Sequence, residues 1–273
     1  MPTFNTNITA LQTQQALTVN NRELSSAMTA LSSGLRVNSA ADDAASSAIG
    51  SQMSARILSL NQAVRNSNDG ISMIQTADGA TKTMSDILVR MRELAIQAAS
   101  DTYGTSDRSA MNTEFGQLQS GLTAIINNTS WNGTNLLDGS ISSATYQVGA
   151  TSNSSDGVSV AFANLSSLGI LSSSLTLTTR ANATSVMDSV STALTTIDTS
   201  RATWGAAMQR LSHAADNTAN VSMNLRASKS QLLDADYAKA TADLARAQIL
   251  QEAGTAMLSQ ANQKGSLVLH LLS

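Results

Sequence analysis

Apolar residues recur along this chain three and four positions apart, the period of one face of an α-helix. Phe4, Ile8 and Leu11 lead into a first run, in which Leu17, Leu24, Met28, Leu31 and Leu35 are spaced 7, 4, 3 and 4 apart. A second run holds the same phase from Ile49 through Ile57, Leu60, Ile74, Met84, Leu88 and Met91 to Ala95. That predicts one helix of roughly 50 residues, about 70–75 Å long. Met111, Phe115, Leu118, Leu122 and Ile125 mark a shorter third run. A long fourth passes through Val186, Val190, Ile197, Trp204, Leu211 and Leu232, and a fifth through Leu250, Met257, Ala261, Val268 and Leu271.

The middle breaks this rhythm. Residues 139–180 carry only two charges, Asp156 and Arg180, among many serines and threonines. Thr145–Val148, Val158–Val160 and Leu175–Thr178 alternate as short strands do. Asp156-Gly157 sits between the first two as a hairpin-turn signal. Asn132-Gly133 and Asp138-Gly139 are turn dipeptides at the boundary. The pattern predicts a mainly α protein. Both chain ends form a long antiparallel bundle or coiled coil, and a small β-hairpin element lies in the middle. Nearly uncharged and poor in long stripes, the segment 139–180 is expected to add little to the helical core.

Composition sharpens this picture. Among 273 residues the only proline is Pro2, so nothing after it carries the strongest helix breaker. There is no cysteine, which excludes disulfides and thiolate metal sites. A net charge of −3 argues against a nucleic-acid footprint. No stretch approaches 18 consecutive apolar residues, so no membrane insertion is expected, and the first fifteen residues do not form a cleavable secretory signal. Asp42-Asp43 and Asp234/Asp236 resemble acid–base or metal pairs, but carboxylates next to a helix start fit the helix dipole better. His213 and His270 are the only histidines and no HExxH motif occurs, so an enzyme is not expected. No cofactor and no metal are implied.

Several stretches resemble bacterial flagellin. They include LSSGLRVNSAADDAA at 31–45, LNQAVRNSNDGISMIQTADGA at 60–80, RMRELAIQAAS at 90–100, EFGQL at 114–118 and WNGTNLLDG at 131–139. RATWGAAMQRL at 201–211, LLDADYAKAT at 232–241 and QILQEAGTAML at 248–258 follow, with SQANQ at 259–263. The resemblance runs collinearly through about 1–139 and 181–273. Trp204 stands where flagellins usually have a smaller aliphatic residue, and Lys264-Gly265-Ser266 departs from the usual sequence after the terminal ANQ.

The resemblance implies a structural subunit that self-assembles into the flagellar filament for swimming, exported through the flagellar type III apparatus to the cell exterior. A hook–filament junction protein is the alternative. It implies an inner terminal coiled-coil domain at 1–40 and 235–273 and a helical outer-wall domain at 41–138 and 181–234, leaving 139–180 as a small variable segment. Implied partners are further copies of the chain, the flagellar cap and hook-associated proteins, a flagellin export chaperone, and Toll-like receptor 5 of a host. Assembly is expected to use Leu17, Leu24, Met28, Leu31, Leu35, Leu250, Met257 and Val268. At about 100° per residue, Ile87, Arg90 and Leu94 form a second face, away from the main stripe, which is either a helix flank packed under the third run or a contact face for another molecule. Arg90, Leu94 and Glu114 match the residues with which stimulatory flagellins meet the receptor, and the family also uses this region between neighbouring protofilaments.

Overall fold

A computed structural model describes the backbone over residues 6–272 and the side chains over residues 6–263. Phe4, the Lys264-Gly265-Ser266 stretch, Val268, His270 and Leu271 therefore lie outside the residues whose side chains are described. Five helices follow one another: α1 (Ile8–Ser33), α2 (Ala44–Ala99), α3 (Thr105–Asn128), α4 (Arg180–Leu233) and α5 (Tyr237–Leu272). Between α3 and α4 lie two antiparallel hairpins, β1 (Ser130–Trp131) with β2 (Thr134–Asn135) and β3 (Ser143–Gln147) with β4 (Gly157–Ala161). The mainly α architecture with a small β element at its midpoint is the one the periodicity predicts.

The starts of α1, α2, α3 and α5, and the ends of α1 and α2, rest on identifiable chemistry. Asn7 Oδ1 accepts from the Ala10 N–H and starts α1, and Gly34, at φ 71°, closes it in the left-handed conformation that favours glycine. Asp43 accepts from the Ser46 N–H and hydroxyl at the start of α2. Asp107 reaches back to the Gly104 N–H at 3.0 Å to start α3, and Asp236 takes the Ala238 and Lys239 N–H groups at the start of α5. The corner between α2 and α3 is held by Arg108. Its guanidinium donates to the Ala98 and Ser100 carbonyls at 2.9 and 3.0 Å, so a cation sits at the negative end of α2.

Packing divides the chain into two units, Met1–Ala55 with Asn224–Ser273, and Arg56–Met223. In the second, α2 and α3 are antiparallel, as are α2 and α4: Arg201 pairs with Asp78 at 2.7 Å and Arg180 with Asp101 at 2.8 Å. Their core holds Ile74, Met84, Leu88, Met91, Phe115, Leu122, Val190, Ile197, Trp204 and Leu211. In the first unit α1 runs antiparallel to α5. Asn7 Nδ2 donates to the Ala261 carbonyl, Asn20 Nδ2 to Ala247 and the Ala235 N–H to Gly34.

The middle segment departs from expectation in three ways. It is part of the core: Val148, Val158, Val160, Phe162, Leu165, Leu168, Ile170 and Leu177 are buried in the same cluster as the helices. The reason is that α3 ends at Asn128, leaving α2 and α4 uncovered beyond it, and the β3–β4 hairpin takes its place. Tyr146 lies over Gly70, where a Cβ would come 2.9 Å from the ring, and its hydroxyl donates to Met73 Sδ at 2.9 Å. Thr218 donates to the Val148 carbonyl and the Trp204 indole to Ala161. Next, Asp156-Gly157 is not the hairpin turn. Gly157, at φ −107°, is extended and pairs with Gln147, and residues 148–156 form a longer loop pinned by the Asp156 carboxylate on Thr151. Finally, Leu175–Thr178 forms no strand; the Leu177 N–H, with no neighbouring strand, is taken by Asn112 Oδ1 at 2.8 Å. The true two-residue turn is Asn132-Gly133, with φ values of 49° and 79°.

Candidate functional site

Two faces concentrate the residues singled out above. The first lies on α2 and α3. Arg90 Nε and Nη2 both reach Glu114 Oε1 at 2.9 Å, and Nη1 reaches Glu93 Oε2 at 3.0 Å. Hydrogen bonds to Glu114, then to Glu93, raise the guanidinium above its ordinary value. All three side chains are about half exposed, so the ion pairs contribute little to folding but hold Arg90 in one orientation. Val89 and Ile96, 49% and 53% exposed, lie seven residues apart on α2, on one side of Arg90.

The expected face is divided. Arg90 and Glu114 are brought together at the surface, and Ile87 is half buried under α3. Leu94 is 2% exposed and belongs to the core. Helical arithmetic separated Leu94 from the main stripe correctly, but α3 covers that flank with Met111, Phe115 and Leu118. Val89 and Ile96 were not singled out; their signal was two bulky apolar residues on the polar side of a long helix.

The second face belongs to the terminal pair of helices. Leu17, Leu24 and Leu31 on α1 are half buried, as is Leu35, which follows α1 and bridges to Asp234. Met28, Leu250 and Met257 are 57%, 49% and 62% exposed, so the expected coiled-coil set does not all meet within the chain. Among the described residues this unit fully buries only Val37, Leu233 and Ala247 of its apolar side chains. Yet it exposes Ile8, Leu11, Val19, Ile249, Leu250 and Met257. The one buried residue of α1 is an amide, Asn20.

The carboxylate pairs are engaged structurally. Asp42 accepts from the Asn38 and Ser39 N–H groups, and Asp43 and Asp236 cap helices. Asp234 accepts the Ser230 hydroxyl at 2.6 Å. Hydrogen bonds hold the Asp42 and Asp43 carboxyls below the usual range, with Ser39 and Ser46 the leading partners. His213 is exposed. Among the described residues no cluster of three metal-ligating side chains occurs, and no helix is long and apolar enough to cross a membrane.

This arrangement defines a class: a mainly helical protein whose first and last helices pair antiparallel. Comparison with known proteins specifies it. The family model for the bacterial flagellin N-terminal helical region matches residues 4–142, and that for the C-terminal helical region matches residues 187–272. A flagellin from Halalkalibacterium halodurans is 40% identical over 98% of this chain and 99% of its own length. The flagellar filament 30.7 kDa core protein of Treponema maltophilum is 32% identical over 99% of both. Bacillus cereus flagellin, solved as a crystal structure, is 30% identical and superposes with a TM-score of 0.50 over 56% of this chain and 88% of its own. The chain belongs to the bacterial flagellin family.

Proposed function

We propose that this chain is a structural subunit that polymerises with its own copies into an extracellular flagellar filament, after export through the flagellar type III apparatus. The observation that carries the reading is the imbalance in the terminal unit. Among the described residues it buries three apolar side chains and exposes at least six large ones along α1 and α5. A lone helix pair of this kind is marginal in water, and equivalent helices of neighbouring copies are the natural cover. Residues 1–40 and 235–273 then form the inner part of the tube, and 41–138 with 181–234 its wall. The cap and hook-associated proteins meet the same ends, and an export chaperone covers them before assembly. The Arg90–Glu114 pair forms a recognition face for Toll-like receptor 5 in the monomer and for the adjacent protofilament in the polymer.

Negative-stain microscopy of purified protein seeded with filament fragments tests the central claim. Uniform tubes are expected from the full chain and none from a chain lacking residues 235–273, whose Arg56–Met223 unit keeps its helix content. Failure of the full chain to grow, or growth of the truncated one, overturns the proposal.

A further inference from the structure

An asparagine or aspartate followed by glycine is chemically labile, because no side chain shields the glycine nitrogen from the preceding side-chain carbonyl carbon. The chain has five such steps: Asp69-Gly70, Asp78-Gly79, Asn132-Gly133, Asp138-Gly139 and Asp156-Gly157. The fold ties down the four that begin with aspartate. Asp69-Gly70 and Asp78-Gly79 lie inside α2, where the glycine N–H belongs to the helix ladder. The Asp138 carboxylate accepts from the Ser140 N–H at 2.8 Å and from Asn135 Nδ2 at 2.9 Å, and the Asn164 side chain crowds Gly139. Gly157 donates its N–H to the Ser154 carbonyl, and the Thr151 N–H holds the Asp156 carboxylate at 2.9 Å.

Asn132-Gly133 is left open. It forms the two-residue turn of the β1–β2 hairpin, and both residues are exposed. Among the described residues no hydrogen bond holds the Asn132 amide or the Gly133 N–H, and no atom lies within 4 Å of where a Gly133 Cβ would stand. At φ 49° Asn132 is left-handed, and the Gly133 nitrogen swings toward its side chain only when the turn opens. Opening is cheap. The hairpin consists of the pairs Ser130–Asn135 and Trp131–Thr134 on mostly exposed strands, and a two-stranded hairpin is marginal by itself in water.

We infer that Asn132 is a site of spontaneous deamidation and isoaspartate formation, with water as the co-reactant. The Gly133 nitrogen attacks Asn132 Cγ. The new C–N bond closes a five-membered imide, and the amide nitrogen leaves as ammonia, taking up the proton that Gly133 loses. Water then opens the ring. Hydrolysis of the bond from the Gly133 nitrogen to Cγ leaves aspartate. Hydrolysis of its bond to the main-chain carbonyl carbon leaves isoaspartate, with the main chain rerouted through Cβ and Cγ; nothing is oxidised or reduced. The two products act differently on the fold. Aspartate adds a charge but keeps the turn, since Asp-Gly also accepts positive φ at both positions. Isoaspartate lengthens the main chain by a methylene, so Trp131 and Thr134 lose their register across the turn. Just beyond, the Leu136 N–H donates to the Thr129 carbonyl at 3.0 Å, and Leu136 and Leu137 are fully buried. The rearrangement therefore loosens the entry to the middle segment while the helices stay intact. The hairpin records the age of the molecule, whether or not the chain polymerises.

The test ages the full chain in mildly alkaline buffer and maps its peptides by mass. An isoaspartyl methyltransferase with labelled S-adenosylmethionine serves as the probe for the rearranged product. Conversion is expected at Asn132 ahead of every other asparagine, including Asn153, which precedes Ser154 in the exposed loop after β3. Asn132→Gly keeps a turn that accepts positive φ and has no side chain to react, so methyl acceptance should fall to background. Aged wild-type protein should become cleavable by chymotrypsin after Trp131, which is exposed. Fresh Asn132→Asp and aged Asn132→Gly should resist as fresh wild type does. An Asn132 that stays intact while the urea-unfolded chain converts there would overturn the inference. So would earlier conversion at Asn153, or chymotrypsin digestion that is the same before and after ageing.

Discussion

Replacing Trp204 should show how far the hairpin and the helices form one cooperative body. The indole is fully buried on α4, its ring centroid 5.9 Å from that of Phe162, and its Nε1–H donates to the Ala161 carbonyl at 2.9 Å. It joins helix and hairpin by packing and by a hydrogen bond at once. A tryptophan buries about 200 Å², worth roughly 5 kcal/mol at about 25 cal/mol per Å². Alanine retains part of that area and leaves a cavity, so Trp204→Ala should cost about 3–5 kcal/mol. Trp204→Phe keeps most of the ring but orphans the Ala161 carbonyl, at a cost of about 1–3 kcal/mol. With a urea dependence of about 2 kcal/mol per molar, the alanine variant should lower the unfolding midpoint by roughly 2 M, followed by far-UV circular dichroism. The loop at 148–156 should also become a protease site, because the hairpin loses its anchor. A midpoint shift below about 0.5 M with an unchanged digestion pattern would show that the hairpin does not share the helical core, and would refute the reasoning.

Replacing residues 142–176 by a Gly/Ser linker should lower the helix content and thermal midpoint of the Arg56–Met223 unit, since Phe162, Leu165 and Ile170 leave the core with it; an unchanged melting curve would contradict this. Arg90→Ala should weaken activation of Toll-like receptor 5 by monomer at least about tenfold in a reporter-cell assay, in the range of a hot-spot truncation. Glu114→Ala should weaken it in the same direction, because Glu114 orients the guanidinium; full activity of both variants would remove this face from recognition. The Asp43 carboxyl is held below its ordinary 3.8 by Ser46. Its contribution is therefore complete above about pH 4 and is lost as pH falls through the lowered folded value. Asp43→Ala should be less stable near neutrality and should show a shallower loss of helix on acidification; identical acid titrations would argue against the cap.

Much of this protein was legible in its residues because the relevant interactions are local. A period held from Ile49 to Ala95 names a long helix, and Asn132-Gly133 names a two-residue turn because both positions accept positive φ. The carboxylate of Asp43 announces a helix start because the orphan N–H group it satisfies, that of Ser46, lies only three residues away. The long collinear motifs, from LSSGLRVNSAADDAA to QILQEAGTAML, likewise point to the family from residues alone. Periodicity reports which side chains share a face; it does not report what covers that face. Leu94 lies off the main stripe of α2, and only the arrival of α3 decides that it is interior. Phe162 and Leu165 sit in a serine-rich stretch with no stripe, and they become core because α3 stops short and leaves a gap between α2 and α4. Asn20 looks like one polar residue among others on α1 until α5 closes over it and leaves its oxygen without a partner. Burial is a property of two segments distant in the chain, so it was the tertiary structure that decided which of these residues lie inside and which remain available to another molecule.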